Sequence, residues 1–76
     1  MTAEQKKELK RIGGILEEEV SNLCYLQERL QDEWDGMTGK QQEDNLDLEL
    51  LIYEIEDLQD DINKGMDKVF ERMELV

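Results

Sequence analysis

Histidine and proline are absent from this 76-residue sequence, and cysteine occurs once. Each absence excludes something. Without histidine the chain lacks the usual general base at neutral pH and the commonest zinc ligand. A lone cysteine, Cys24, cannot close an internal disulfide, so no disulfide framework offsets the small size of the domain. Without proline, no residue removes a helical hydrogen bond or forces a kink. Apolar runs are short too. None approaches the roughly 18 residues that a membrane-spanning helix needs, and no apolar signal core is present. A cytoplasmic location and no membrane partner are therefore the expectations.

Basic residues are also scarce. Nine Lys and Arg stand against 21 Asp and Glu, for a net charge of −12. That charge repels DNA, RNA and anionic lipid, so direct nucleic-acid binding is not expected and the natural partner is a protein with a basic surface. The charge is uneven along the chain. Residues 12–63 hold 16 acids and only two bases, Arg29 and Lys40, for a net of −14, whereas residues 1–11 carry +2 and residues 64–76 are neutral.

What the sequence does have is helical periodicity. Leucine recurs every seven residues at Leu9, Leu16, Leu23 and Leu30, with Ile12, Val20, Leu26 and Trp34 three or four residues along. After the turn-like cluster Asp35-Gly36-Met37-Thr38-Gly39, the seven-residue step resumes at Leu48, Ile55, Ile62, Val69 and Val76. Leu51, Ile52, Leu58, Met66 and Met73 fill in beside it. Two seams sustained over several heptads specify helix–helix packing. The expectation is one all-α domain over residues 1–76, an antiparallel two-helix hairpin. Its helices are placed at about 3–34 and 42–74, with the turn at about 35–41, each helix roughly 48 Å long at 1.5 Å per residue.

Local signals support the boundaries. Thr2 with Gln5 three residues on matches a capping box, and Thr38 is a candidate cap for the second helix. Gly36 and Gly39 suit the left-handed backbone that commonly ends a helix, and Glu43 and Asp44 suit a helix N-terminus. Folding the chain at its midpoint pairs Leu30 with Leu48, Leu26 with Ile52, Leu23 with Ile55, Leu16 with Ile62 and Leu9 with Val69. The same register sets Gly13 opposite Gly65, which reads as a close backbone approach or a groove that receives another side chain.

One hairpin cannot cover all of its apolar residues. Ile15, Tyr25, Leu46, Leu50, Tyr53 and Phe70 fall outside the strict seams and widen the stripe toward that of a bundle. Ile15, Tyr25, Leu50, Tyr53 and Phe70 are the candidate self-association residues, and dimerisation into a four-helix bundle is the economical outcome.

No catalytic or metal-binding arrangement is legible. Carboxylate pairs such as Asp60-Asp61 lack the enclosing pocket that separates an acid from a base, and no calcium-binding loop pattern occurs. No cofactor is expected. Cys24, among Leu23, Tyr25 and Leu26, is expected to be a buried structural cysteine, not a nucleophile.

The segment Trp34-Asp35-Gly36 between two long helices resembles the W-x-G turn of the WXG100 family of small secretion proteins, and Tyr53-x-x-x-Asp57 matches that family's export pattern. The resemblance implies a small secreted helical protein. Here, however, Tyr53 lies inside the second helical segment and not beyond it. The acidic stretch Leu51-Ile52-Tyr53-Glu54-Ile55-Glu56-Asp57-Leu58 looks like the second helix of small acidic hairpins encoded by phages and mobile elements. That likeness implies an inhibitor of a host nuclease or defence protein that mimics nucleic acid. The carboxylates expected to carry such binding are Glu28, Asp32 and Glu33 on the first helix, with Glu49, Glu54, Glu56, Asp57, Asp60 and Asp61 on the second. A structural or chaperone subunit of a larger assembly is the remaining reading.

Overall fold

The computed structural model describes all 76 residues, and the chain is helical nearly throughout. α1 spans Ala3–Asp35, α2 spans Gly39–Asp44, and α3 spans Leu46–Glu74. α1 and α3 pack against each other as the two arms of a hairpin, a rod of 57 × 16 × 12 Å measured on Cα atoms. No helix is long and apolar enough to cross a membrane.

The caps explain where the helices begin. Thr2 Oγ1 accepts from the Gln5 backbone N–H (3.1 Å), and Gln5 Oε1 accepts from the Thr2 N–H (2.9 Å). The same reciprocal box recurs between Thr38 and Gln41, at 3.2 and 2.9 Å. Each box satisfies two donors that a helix start otherwise leaves unpaired.

The reversal differs from the expected open turn. Helix resumes at Gly39, immediately after the Thr38 cap, runs for six residues, and breaks at Asn45, where φ is −124° and ψ is 37°. The Asn45 side chain donates back to the Gln41 carbonyl at 2.7 Å. Gln42 Nε2 donates to the Trp34 carbonyl at 2.9 Å, tying α2 to the end of α1. Glu43 and Asp44 thus end α2, and the acids in the first turn of α3 are Asp47 and Glu49. No glycine has a positive φ. Gly36 caps α1 in a right-handed conformation (φ −80°, ψ −8°) and Gly39 opens α2. The left-handed expectation fails because Thr38 starts a new helix two residues after Gly36, so the chain keeps a right-handed path.

The core is thin. Only Gly13, Ile52, Ile55 and Met73 are buried, with Leu9, Val20, Leu23, Leu30, Trp34, Leu48, Ile62, Met66 and Phe70 half-buried along the same line. Gly13 is not opposite Gly65. A Cβ at Gly13 would sit 2.0 Å from Phe70 Cζ, whereas one at Gly65 would meet nothing within 4 Å. The ring of Phe70 fills the space that Gly13 leaves. At this level α3 is therefore displaced by five residues from the expected register, which follows from the later reversal.

A polar pair sits in the seam at mid-rod. Gln59 Nε2 donates to Gln27 Oε1 at 2.8 Å, and Gln27 Nε2 approaches the Ile52 carbonyl at 3.4 Å. A polar group at a seam position favours one register over others at some cost in stability. Cys24 is exposed, which corrects the expectation of a buried thiol. On α1 the inward positions are Leu23 and Gln27, and Cys24 is rotated about 100° from Leu23.

Candidate interaction surfaces

Successive residues turn about 100° around a helix, so the buried line divides each arm into sides. On α1, Ile12, Glu19 and Leu26 lie to one side of that line. On α3, Leu51, Leu58, Gly65 and Val69 lie to the corresponding side. A groove of about 380 Å³ joins the two sides, lined by Leu9, Ile12, Gly13, Leu16, Ile62, Gly65, Met66, Val69 and Phe70. One broad face of the rod is therefore mostly apolar, with Glu19 standing between Ile12 and Leu26. Ile12, Leu16, Leu26, Leu51, Leu58 and Val69 on it are each 39–49% exposed.

The other broad face is acidic. Glu17, Glu28 and Asp35 stand on it from α1, with Asp32 toward its outer edge, and Glu49, Glu56, Asp60 and Asp67 stand on it from α3. All are exposed except Glu49, which is half-buried. Neither base of the 12–63 segment, Arg29 or Lys40, is ion-paired. The one ion pair in the molecule joins Glu8 to Arg11 on the first turns of α1. There the hydrogen bond from Arg11 holds the Glu8 carboxyl below the usual carboxylate range and raises the guanidinium further.

Of the nine carboxylates singled out from the sequence, Glu28, Asp32, Glu49, Glu56 and Asp60 fall on this face. Glu33, Glu54 and Asp61 lie toward the apolar face, and Asp57 is on the outer back of α3. Sequence reasoning passed over Glu17, Asp35 and Asp67. Their signal was position: Glu17, Glu28 and Asp35 follow one another at helical steps on one side of the Leu23 line.

The five candidate self-association residues do not form one surface. Phe70 is half-buried against Gly13 within the hairpin. Tyr25, Leu50 and Tyr53 are 62%, 58% and 56% exposed. Leu50 is two residues from the buried Ile52, a rotation of about 200°, which puts it with Leu46 and Tyr53 on the back of α3. Ile15 is 46% exposed on the outer margin of the apolar face. No protein-family model, curated protein or solved structure matches the chain.

Proposed function

We propose that this chain is a non-catalytic protein-binding module whose acidic face occupies a basic, nucleic-acid-holding groove on another protein, in the manner of a phage or mobile-element inhibitor of a nuclease or defence protein. In this reading the apolar face pairs two copies into a four-helix bundle. The observation that carries the reading is a high, unpaired negative charge on a rigid scaffold, with Glu17, Glu28, Asp35, Glu49, Glu56, Asp60 and Asp67 gathered on one face. Sixteen carboxylates between residues 12 and 63 stand on helices without one internal ion pair. Like charges held together destabilise a compact fold, and nothing inside the molecule offsets them. Solubility alone asks for a net charge of about 2–8 in a small domain, less than the −12 present here. The density also suits a phosphate surrogate. Duplex DNA carries about 28 charges on roughly 48 Å of axis, and two copies of this chain, at −12 each, carry a net −24 on a comparable length.

The test replaces the face, not the total charge. One variant carries Glu28→Gln, Glu49→Gln, Glu56→Gln and Asp60→Asn. The control removes Glu33, Glu54, Asp57 and Asp61 in the same way. Both are titrated at low and high salt against the protein that the chain captures from its native host, with duplex DNA and RNA as competitors. The first variant should lose at least tenfold in affinity and most of its salt dependence, and the control much less. Equal losses, or simultaneous binding of nucleic acid, would sink the mimic reading.

A further inference from the structure

The self-association proposed above has a definite geometry. We infer that two chains dock head to tail through their apolar faces, about a two-fold axis perpendicular to the rod that passes near Glu19 of α1. The inference rests on that self-association, and it adds the axis and the contacts.

Three observations lead to a second copy as the occupant. The first is area. The chain exposes 6123 Å², whereas a compact monomer of its 9.0 kDa exposes about 4,900 Å². The excess is about 1,300 Å² per chain, or about 2,500 Å² for a pair, which falls in the range of obligate homodimers. The second is placement. On α1, Ile12 and Leu26 lie seven residues either side of Glu19, and on α3, Leu58 lies five residues before Asn63 and Val69 five after Lys64. Gly13 against Phe70, and Gln27 between Ile52 and Gln59, set Glu19 level with Asn63 and Lys64 along the rod. One axis therefore serves both helices. It lays Ile12 on the copy's Leu26 and Val69 on the copy's Leu58, and it brings the open notches at Gly65 of the two chains within about one turn of each other along the rod. The third is charge. The axis sets Glu19 beside its own copy, but head-to-tail docking brings the +2 segment of residues 1–11 beside the acidic reversal of the other chain. A two-fold along the rod would instead stack the two acidic ends.

The head-to-tail axis sets α1 against the α1 of the copy, whereas an axis along the rod sets α1 against α3. Single cysteines in a Cys24→Ser background distinguish the two with a short bis-maleimide. Glu19→Cys should cross-link efficiently to itself. Ile12→Cys alone should not, but an equal mixture of Ile12→Cys and Leu26→Cys chains should give the mixed product. Far-ultraviolet circular dichroism establishes that each variant is folded, and sedimentation equilibrium at micromolar concentration that it is dimeric. A folded, dimeric Glu19→Cys chain that fails to cross-link overturns the axis while leaving self-association intact. Self-linking by Ile12→Cys does the same. A monomer by sedimentation for the unsubstituted chain overturns both. The acidic-face reading is decided separately, by the nucleic-acid competition.

Discussion

Gly13→Ala is the substitution whose outcome separates local helix preference from packing. Alanine at an exposed helix interior position is worth about 1 kcal/mol over glycine. Gly14, next in sequence, would meet nothing within 4 Å if given a Cβ, so Gly14→Ala should realise that gain. At Gly13 the same Cβ would lie 2.0 Å from Phe70 Cζ, 2.9 Å from Cε2 and 3.0 Å from Cε1. Carbon atoms pack at about 3.5–4.0 Å, so the ring must withdraw by about 1.5 Å or leave. Overpacking of this kind costs about 1–3 kcal/mol, and it opposes the propensity gain. Gly13→Ala should therefore be neutral to about 2 kcal/mol destabilising, and should stand about 1–3 kcal/mol below Gly14→Ala. In a domain this small each kcal/mol moves Tm by about 4–8 °C. Urea titrations at one fixed protein concentration read the difference, the concentration being held because self-association shifts apparent stability. Phe70→Leu in the Gly13→Ala background should recover part of the loss, a coupling that distant sites do not show. If Gly13→Ala stabilises as much as Gly14→Ala, the ring is not seated on Gly13 and the register is wrong.

Other outcomes follow from the same contacts. Thr38→Ala removes a capping box and should cost about 0.5–2 kcal/mol by urea titration. Gly36→Ala, at φ −80° with its nearest added contact at 3.4 Å, should change stability by less than about 1 kcal/mol. Gln27→Leu alone strands Gln59 and should destabilise by roughly 1 kcal/mol, while Gln27→Leu with Gln59→Leu should be neutral or stabilising. Added salt should raise Tm, because screening relieves the repulsion among the carboxylates of residues 12–63. A Tm that falls on going from low to moderate salt would contradict an unpaired acidic face. The Glu8–Arg11 pair acts in the opposite sense with acid. Its depressed carboxyl contributes stability above the ordinary glutamate pKa, and that contribution is lost as pH falls through the lowered value.

Much of the fold is legible in the sequence because helix periodicity and capping are local. Thr2 with Gln5 and Thr38 as a cap could be read from spacing, and so could part of each inward row, such as Leu23, Leu30, Leu48 and Ile55. Ile12, Leu16, Leu26, Leu51, Leu58 and Val69 of the same seams are instead 39–49% exposed. What escaped reading depends on angle and on partner. Cys24 sits among apolar neighbours in sequence, yet neighbours in a helix point in different directions. Gln27 occupies a seam position between Leu23 and Leu30, but its polarity hid it from a search for apolar residues. Leu46, Leu50 and Tyr53 widen the apolar content without widening the inward face. The Phe70 ring on Gly13 could not be found from either helix alone, since it depends on where the reversal ends. The sorting of carboxylates into one face required the apolar groove to show which sides of the two arms coincide.

The opposition of the apolar and acidic faces has a consequence for stoichiometry. Two chains joined by their apolar faces turn their acidic faces outward, in opposite directions. Each dimer then offers two identical docking sites on opposite sides, and a partner with one groove would be captured as two copies per dimer. A partner whose own two grooves face each other across a cleft could clamp both sites at once and gain avidity without any new contact. One whose grooves lie side by side could not, and it would be gathered instead into chains of alternating dimers.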